Sequence, residues 1–246
     1  MVKVIGVDAC KGGWVGVVLE NGRATIIRDA AFARLLEAHL DASLVFVDMP
    51  IGLPETMEAS LQRPEPLARK LLGKKASSVF NVPCRQAVYC DTYTEANARN
   101  KSILHKGLSK QSFYISKKIK ELDLYLAQHQ ALTHKIVESH PELCFLALHN
   151  GRPIIASKKT SEGFEQRLAV LGAYDDNQDF VQKNILENPR YTRIKDDVVD
   201  AYCLAVTAKL GIQYGLQTLP EQPTADIRDL WMQMVLSAIS PVRRTT

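Results

Sequence analysis

The fold is decided by three segments, Lys3-Val-Ile-Gly-Val-Asp8, Trp14-Val-Gly-Val-Val-Leu-Glu20 and Arg23-Ala-Thr-Ile-Ile27. All three are rich in Val and Ile, which is typical of β-strands. The second and third are joined by Asn21-Gly22, the dipeptide preferred in a two-residue type I′ hairpin because both positions need a positive φ. The chain therefore opens with a β-meander and not with a βαβ unit.

A helix and a fourth strand follow the meander. Leu44–Val47 is a short apolar run that ends at Asp48-Met49-Pro50, where proline prevents smooth continuation. The predicted order is thus β-β-β-α-β. The apolar residues of the helix recur at helical spacing and are Phe32, Leu35, Leu36 and Leu40.

A helical, polar and basic insertion is predicted for about residues 55–130. It is broken at Pro64-Glu-Pro66, at Asn81-Val-Pro83 and at Gly107. Residues 55–130 hold 13 Lys and Arg against 7 Asp and Glu, so all of the excess positive charge of the chain lies there. The run His134–Glu138 resembles a fifth strand, which places the insertion between strands 4 and 5.

Helices dominate the remainder of the predicted domain, which spans 1–217. Pro141 fits the first turn of one helix, and others are predicted over 163–171, 177–186 and 196–210. Residues 218–224 have the composition of a linker. The last prediction is an amphipathic helix over 225–240, docked on the domain or at a homodimer interface, with the apolar residues Ile227, Leu230, Trp231, Met234 and Ala238.

The composition is that of a soluble globular protein. The chain has 246 residues, of which 46% are hydrophobic and 24% are charged, and this excludes a disordered or collagen-like chain. No apolar run approaches the ~20 residues that span a bilayer, and the start lacks a secretory signal, so we expect a cytoplasmic protein that does not contact membranes. The five cysteines form no CxxC pair, which argues against both a zinc site and a disulfide framework.

Acidic residues stand at positions where strands end or where a helix presents one face. Asp8, Asp48 and Glu138 close the first, fourth and fifth predicted strands. Asp197 and Asp200 are three residues apart on the last core helix and therefore share a side. Converging carboxylates need a cation, and oxygen ligands without Cys or His suit Mg²⁺ or Mn²⁺. Two such ions ~3.5–4 Å apart can hydrolyse a phosphodiester.

Simpler interpretations compete at single positions. An Asp at a strand end is more often a turn or cap residue than a ligand. Asp196 fits the N-cap of the last helix, and Glu142 fits a first helical turn, where the dipole favours a carboxylate. Asp200 is harder to explain in this way because it stands in mid-helix, where propensity disfavours Asp.

Several motifs in one order resemble domain-of-unknown-function family 429, which comprises predicted nucleases with a ribonuclease H-like fold. The resemblance covers nearly the whole chain up to Gly211. The motifs are Gly6-Val-Asp8-Ala-Cys-Lys-Gly-Gly-Trp14, Val47-Asp48-Met-Pro-Ile-Gly-Leu-Pro54, Leu72-Gly-Lys-Lys-Ala-Ser-Ser-Val-Phe80 with Pro83 and Arg85, Gly107-Leu-Ser-Lys-Gln111, Glu138-Ser-His-Pro-Glu142, Ser157-Lys158-Lys159-Thr160 and Asp196-Asp-Val-Val-Asp200-Ala201.

The resemblance implies an α/β fold, a ribonuclease H-like mixed five-stranded sheet flanked by helices. It also implies metal ligands on the first strand, the fourth strand and the last helix, which correspond here to Asp8, Asp48, Asp197 and Asp200. Glu138 has no fixed counterpart in the wider fold, although its motif belongs to the family. Fold alone does not determine function.

Other residues are candidates for contact with substrate. Lys11 precedes two glycines and could approach a phosphate, although an ordinary hairpin turn explains it equally well. His140 could act as an acid or as an outer ligand, or it could be a hydrogen-bonded structural residue. Basic residues in the insertion could contact a nucleic-acid backbone or simply form the solvated faces of helices, and they include Arg69, Lys75 and Arg85.

The sequence therefore predicts a Mg²⁺- or Mn²⁺-dependent nuclease that acts on DNA or RNA. Two alternatives remain. Actin-like kinases and ATPases contain two copies of such a fold, and this chain has room for one. A non-catalytic module of the same fold could instead bind a metal, a nucleic acid or a small ligand without cleaving it.

Overall fold

The structure, a computed structural model, describes residues 2–238, and for Gln178 only the backbone. Across these residues, every helix is too short or too polar to span a bilayer. The strands are β1 Lys3–Cys10, β2 Gly13–Glu20, β3 Arg23–Asp29, β4 Leu44–Val47, β5 Ile136–Glu138, β6 Leu216–Ala225 and β7 Trp231–Ser237. The helices are α1 Phe32–Leu36, α2 Met57–Leu61, α3 Glu65–Leu72, α4 Arg85–Val88, α5 Tyr93–Leu104, α6 Lys110–Gln128, α7 Pro141–Leu148, α8 Ser161–Gly172, α9 Gln178–Phe180 and α10 Lys195–Tyr214.

The central sheet has five strands in the order β3-β2-β1-β4-β5. The pairs β1–β2 and β2–β3 are antiparallel, whereas β1–β4 and β4–β5 are parallel. Asn21 and Gly22 have φ values of 52° and 75°, as the predicted hairpin turn requires. The predicted mixed α/β sheet of ribonuclease H-like layout is confirmed, and so is the helical insertion between β4 and β5.

The chain divides into two compact units. The first comprises residues 2–48, 135–217 and 235–238 and contains the five-stranded sheet. Its interior is built from apolar side chains of the strands and of α1, α7 and α10, and the largest of these are Trp14, Phe32, Phe46, Phe145 and Tyr202. The second unit comprises residues 49–134 and 218–234 and contains α2 to α6.

Gly6 sets how closely β1 and α10 approach each other. A Cβ atom on this residue would lie 2.0 Å from the carbonyl oxygen of Ala201 and 2.4 Å from the backbone nitrogen of Ala205. Real Cβ atoms do not approach backbone so closely, so only glycine permits this packing. Gly6 therefore brings the backbone of α10 against the strand that ends in Asp8.

The predicted C-terminal helix over 225–240 is wrong. Strands β6 and β7 pair as a two-stranded sheet, and the predicted linker at 218–224 belongs to β6. In β7 the buried Met232 and Met234 alternate with the more exposed Trp231 and Gln233, which is the period of a strand. Residues 239 and 240 lie outside the described residues. The suggestion of a homodimer depended on this helix and loses its basis.

Candidate active site

Asp8 and Asp48 stand side by side at one end of the parallel strands. The register pairs Val7 with Val47, and the backbone N–H of Asp48 donates to the carbonyl of Val7 at 2.9 Å. Only 6% of Asp8 is exposed, and Asp48 is half-buried. The strand pairing places these two residues next to each other, because the two parallel strands end at the same level of the sheet.

Helix α10 adds Asp197 and Asp200 to this pair. Asp200 is buried, with 4% of its surface exposed, and Asp197 is half-buried. The sequence prediction that these carboxylates converge with Asp8 and Asp48 is supported by their mutual electrostatic effects. Asp48, Asp200 and Asp197 all act on the charge of Asp8.

Burial and mutual repulsion both raise the pKa of these carboxyl groups. Loss of hydration raises the pKa of Asp8, and the neighbouring charges of Asp48 and Asp200 raise it further. Burial also raises the pKa of Asp48 and of Asp200. Burial raises the pKa of Asp197 to about 6, with Asp200 adding to the effect. The cluster of Asp8, Asp48, Asp197 and Asp200, called the carboxylate cluster below, therefore requires a cation to be fully ionised.

Lys158 supplies one positive charge to the carboxylate cluster. Its Nζ donates to Oδ2 of Asp200 at 2.5 Å, and its charge lowers the pKa of Asp8, Asp48 and Asp197. Burial lowers the pKa of Lys158 itself, but the surrounding carboxylates outweigh that effect and raise it overall. The sequence motif that contains Lys158 gives this residue no role, because a lysine 42 positions from its partner forms no local pattern with it.

Local hydrogen bonds fix the turn that carries Lys158. Thr160 caps α8, with its Oγ1 accepting from the backbone N–H of Gly163 at 3.2 Å. The same hydroxyl donates to the carbonyl of Ser157 at 2.8 Å. Because the turn is tied to the start of a twelve-residue helix, the lysine stem begins from a defined position.

A second ion pair borders the cluster. Nη2 of the buried Arg167 donates to Oε1 of Glu142 at 2.6 Å. The charge of Glu142 raises the pKa of Asp48 and of Asp200, so this residue does more than stabilise the first turn of α7. The sequence interpretation of Glu142 as a helix-dipole residue missed this role, because Arg167 lies on a different helix.

His140 and Glu138 lie at the start of α7 and the end of β5. His140 caps α7, with Nδ1 accepting from the N–H of Glu142 at 3.2 Å, and its charge lowers the pKa of Asp48. His140 is therefore a hydrogen-bonded structural residue, as one of the two interpretations predicted. Its role as an acid or as an outer ligand stays a prediction. Glu138 is buried and pairs in register with Val47, next to Asp48. Its role as a metal ligand stays a prediction.

Asp196 is not the helix cap that its position suggested. The residue before α10 is Ile194, and no side chain caps that end. Within residues 2–238, Oδ1 of Asp196 is buried without a hydrogen-bond partner.

The predicted phosphate contacts separate into different environments. Arg85 is buried, and its guanidinium pairs with Glu55, Asp123 and Asp226. It is therefore a structural residue of the second unit and not a residue that contacts a nucleic-acid backbone. Arg69 is half-buried, Lys75 is half-buried, and Lys11 is exposed in the turn between β1 and β2.

The donor set of the carboxylate cluster can be compared with the ligands that a divalent metal prefers. Its chemistry fits, because four carboxylates from three elements supply hard oxygen ligands and a surplus of negative charge. Within the part of the chain that the structure describes, no three Asp, Glu, His or Cys side chains form a ready-made metal site. Lys158 lies among the carboxylates, with its Nζ paired to Asp200.

A family model described as "Protein of unknown function (DUF429)" matches residues 6–225. The chain belongs to the DUF429 family. The match includes most of both units, with the carboxylate cluster and the helical insertion. Among curated proteins and among solved structures, none matches the chain significantly. The DUF429 assignment carries no statement about activity.

Proposed function

We propose that this DUF429 protein is a Mg²⁺- or Mn²⁺-dependent nuclease that hydrolyses phosphodiester bonds of DNA or RNA. The observation that carries the proposal is the convergence of Asp8, Asp48, Asp197 and Asp200 from two parallel strands and one helix. Hard oxygen ligands with raised carboxyl pKa values favour a divalent cation.

The residues have distinct parts in this proposal. Asp8, Asp48, Asp197 and Asp200 would hold the metal, and the metal would supply an activated water and stabilise the leaving oxygen. Lys158 neutralises the cluster before the metal binds and can then pair with a phosphate oxygen of the substrate. Arg167 holds Glu142 in position behind Asp48 and Asp200.

The proposed partner and compartment follow from charge and cysteine chemistry. Residues 55–130 carry a net charge of +6, from 13 basic and 7 acidic residues, which favours contact with a nucleic-acid backbone. All five cysteines are free thiols, which agrees with the reducing cytoplasm.

One observation favours a second candidate, a module that binds nucleic acid or a small ligand without cleaving it. The ion pair between Lys158 and Asp200 partly balances the cluster without any metal. In this second candidate the ion pair is the functional state of the cluster. The carboxylates then form part of a binding pocket and catalyse no reaction.

Cleavage of labelled nucleic acids distinguishes the two candidates. Wild type with 5 mM Mg²⁺ or Mn²⁺ is incubated with single-stranded, duplex and branched DNA and RNA, beside Asp8→Asn and the control Asp176→Asn, which changes an exposed acid of the same unit. We expect wild type and the control to cleave at least one substrate and Asp8→Asn to lose at least ~10²-fold in rate. Metal-independent binding without cleavage of any substrate supports the binding module.

A further inference from the structure

A cavity of about 360 Å³ lies entirely within the second unit. It is bounded by α3, by residues 77–83 and by the loop that leads into α6. Two sequence motifs without an assigned role line it, one ending at Phe80 and the other running from Gly107 to Gln111. We call it the insertion cavity.

The charged side chains of the insertion cavity are mainly cationic. Arg69 and Lys106 line it, and the acidic Glu65 in the lining is neutralised by Arg63 at 2.5 Å. Arg69 is held in place because its guanidinium donates to the carbonyl of Val79 at 3.2 Å and to Oδ1 of Asn81 at 2.9 Å. A guanidinium has five N–H groups, so donors remain for a ligand.

Buried hydrogen bonds shape the loop that carries Lys106. Asn100 is 4% exposed, accepts from the N–H of Cys84 at 2.9 Å and donates to the carbonyl of Lys106 at 2.8 Å. Asn97 accepts from the N–H of Leu108 at 2.9 Å. The side chains of Asn97 and Asn100 on α5 thus hold the loop at Lys106 in a defined position.

The same wall leads into the longest helix of the second unit among the described residues. Ser109 caps α6, with its hydroxyl accepting from the N–H of Ser112 at 3.0 Å. The positive end of the α6 dipole is therefore at Ser109 and Gln111, beside the two cationic side chains. The rest of the lining mixes polar side chains with apolar ones, and the apolar ones include Phe80 and Leu108.

We propose that the insertion cavity binds one phosphate-bearing nucleotide unit of a nucleic acid. Arg69 and Lys106 bind the phosphate together with Gln111 in the first turn of α6, and the aromatic side chain of Phe80 accepts the base. Its volume suits a ligand of that size. The inference goes beyond the proposed nuclease activity, since it assigns binding to a unit that does not contain the carboxylate cluster.

Nuclear magnetic resonance titration with the nucleoside thymidine as the probe tests this site. The probe is added to the ¹⁵N-labelled full chain, with and without a 5′-phosphate, and the amides of Gly107, Ser109 and Gln111 are followed. We expect these amides to shift and the phosphorylated probe to bind at least five-fold more tightly. No shift at millimolar probe, or equal affinity of the two probes, overturns the proposal.

Matched variants assign the contacts. Lys106→Gln, whose side chain is exposed, is expected to weaken binding of the phosphorylated probe several-fold, and Arg69→Gln at least as much. Lys70→Gln changes an exposed lysine of α3 outside the cavity lining and leaves binding unchanged. Equal affinity of Lys106→Gln and wild type contradicts the assignment. Asp8→Asn keeps this binding while losing cleavage, so failure of the site and failure of the nuclease proposal are distinguishable.

Discussion

The charge balance of the carboxylate cluster depends on Lys158, which pairs directly with Asp200. Asp200 is buried, whereas the side chain of Lys158 is 37% exposed, so the lysine can leave the cluster toward solvent more easily than the acid can. A bound divalent cation and the ammonium of Lys158 would compete for the same oxygens. The lysine therefore lowers the apparent affinity for metal while it stabilises the metal-free protein.

Replacing Lys158 with Met should separate these two effects. Without metal, the free energy of unfolding at pH 8 should fall by about 1–3 kcal/mol, less than for a fully buried pair because Lys158 is partly exposed. Mg²⁺ should then raise the Tm of Lys158→Met more than that of wild type. Thermal unfolding with EDTA and with Mg²⁺ measures both, with the exposed neighbour variant Lys159→Met as control. Equal Tm shifts in all three proteins contradict the competition.

Asp197 gives the metal-free protein a specific pH dependence. Its pKa is about 6 in the folded protein against an ordinary value of 3.8, so the folded state binds more protons between these values. The free energy of unfolding should therefore decrease as pH rises from 4 to 6, and the raised pKa values of Asp8 and Asp48 act in the same direction.

Denaturant unfolding in EDTA between pH 4 and pH 7 measures this slope. The free energy of unfolding of Asp197→Asn should decrease less steeply with rising pH than that of wild type, because the substitution removes one titrating group and leaves the others. A slope identical to that of wild type would show that Asp197 ionises in the fold as freely as it does in the unfolded chain.

Arg85 is expected to act on stability and not on substrate binding. Its guanidinium donates to Asp123 at 2.6 Å, and Asp123 also accepts from Arg228 and Tyr89. Arg85→Met leaves buried carboxylates without their main partner, so we expect a loss of about 3 kcal/mol or more in unfolding free energy. Urea unfolding measures the loss. The exposed control Arg99→Met should change it little, and an Arg85→Met protein as stable as wild type refutes the structural role.

At the scale of elements, the contact of β1 with α10 positions the candidate site. Gly6 permits backbone contact with Ala201 and Ala205, and this contact sets Asp200 against the end of β1. Gly6→Ala forces a Cβ into that backbone, so we expect a loss of stability of about 3 kcal/mol or more together with weaker metal binding. Gly172→Ala, at the end of α8 with no atom within 4 Å of the added Cβ, is the control and should be neutral. Circular-dichroism melts decide between these outcomes, and an unchanged Gly6→Ala contradicts the packing.

Local sequence patterns are sufficient to predict some of these elements and not others. The meander, β4 and α10 were predictable because alternation, the Asn21-Gly22 turn and a long apolar stripe are local signals. Strand β7 is predicted as a helix because Leu230, Trp231 and Met234 fit a period of 3.6, whereas the buried Leu230, Met232 and Met234 fit a period of 2. Pairing with β6 decides between these periods, and pairing is not a local property.

Across the whole molecule, the positions of the candidate acids can be found from the sequence, whereas the ion pairs that the basic residues form cannot. Asp8, Asp48, Asp197 and Asp200 stand at strand ends or on one helix face, and those positions can be found in the sequence. Lys158, which balances them, comes from a turn far along the chain, and Arg85 turned out to be enclosed by carboxylates. Basic side chains are common and long, so only the tertiary fold reveals which of them pair.

The most direct test of the central claim is a calorimetric titration of the metal-free protein with Mn²⁺. Wild type should bind the ion, Asp200→Asn should bind it at least ~10-fold more weakly, and Asp91→Asn, which changes an exposed acid of the second unit, should match wild type. Circular dichroism confirms that the variants are folded. Absence of binding to wild type at millimolar Mn²⁺, or equal binding by folded Asp200→Asn, would contradict the assignment of the carboxylate cluster as a metal centre.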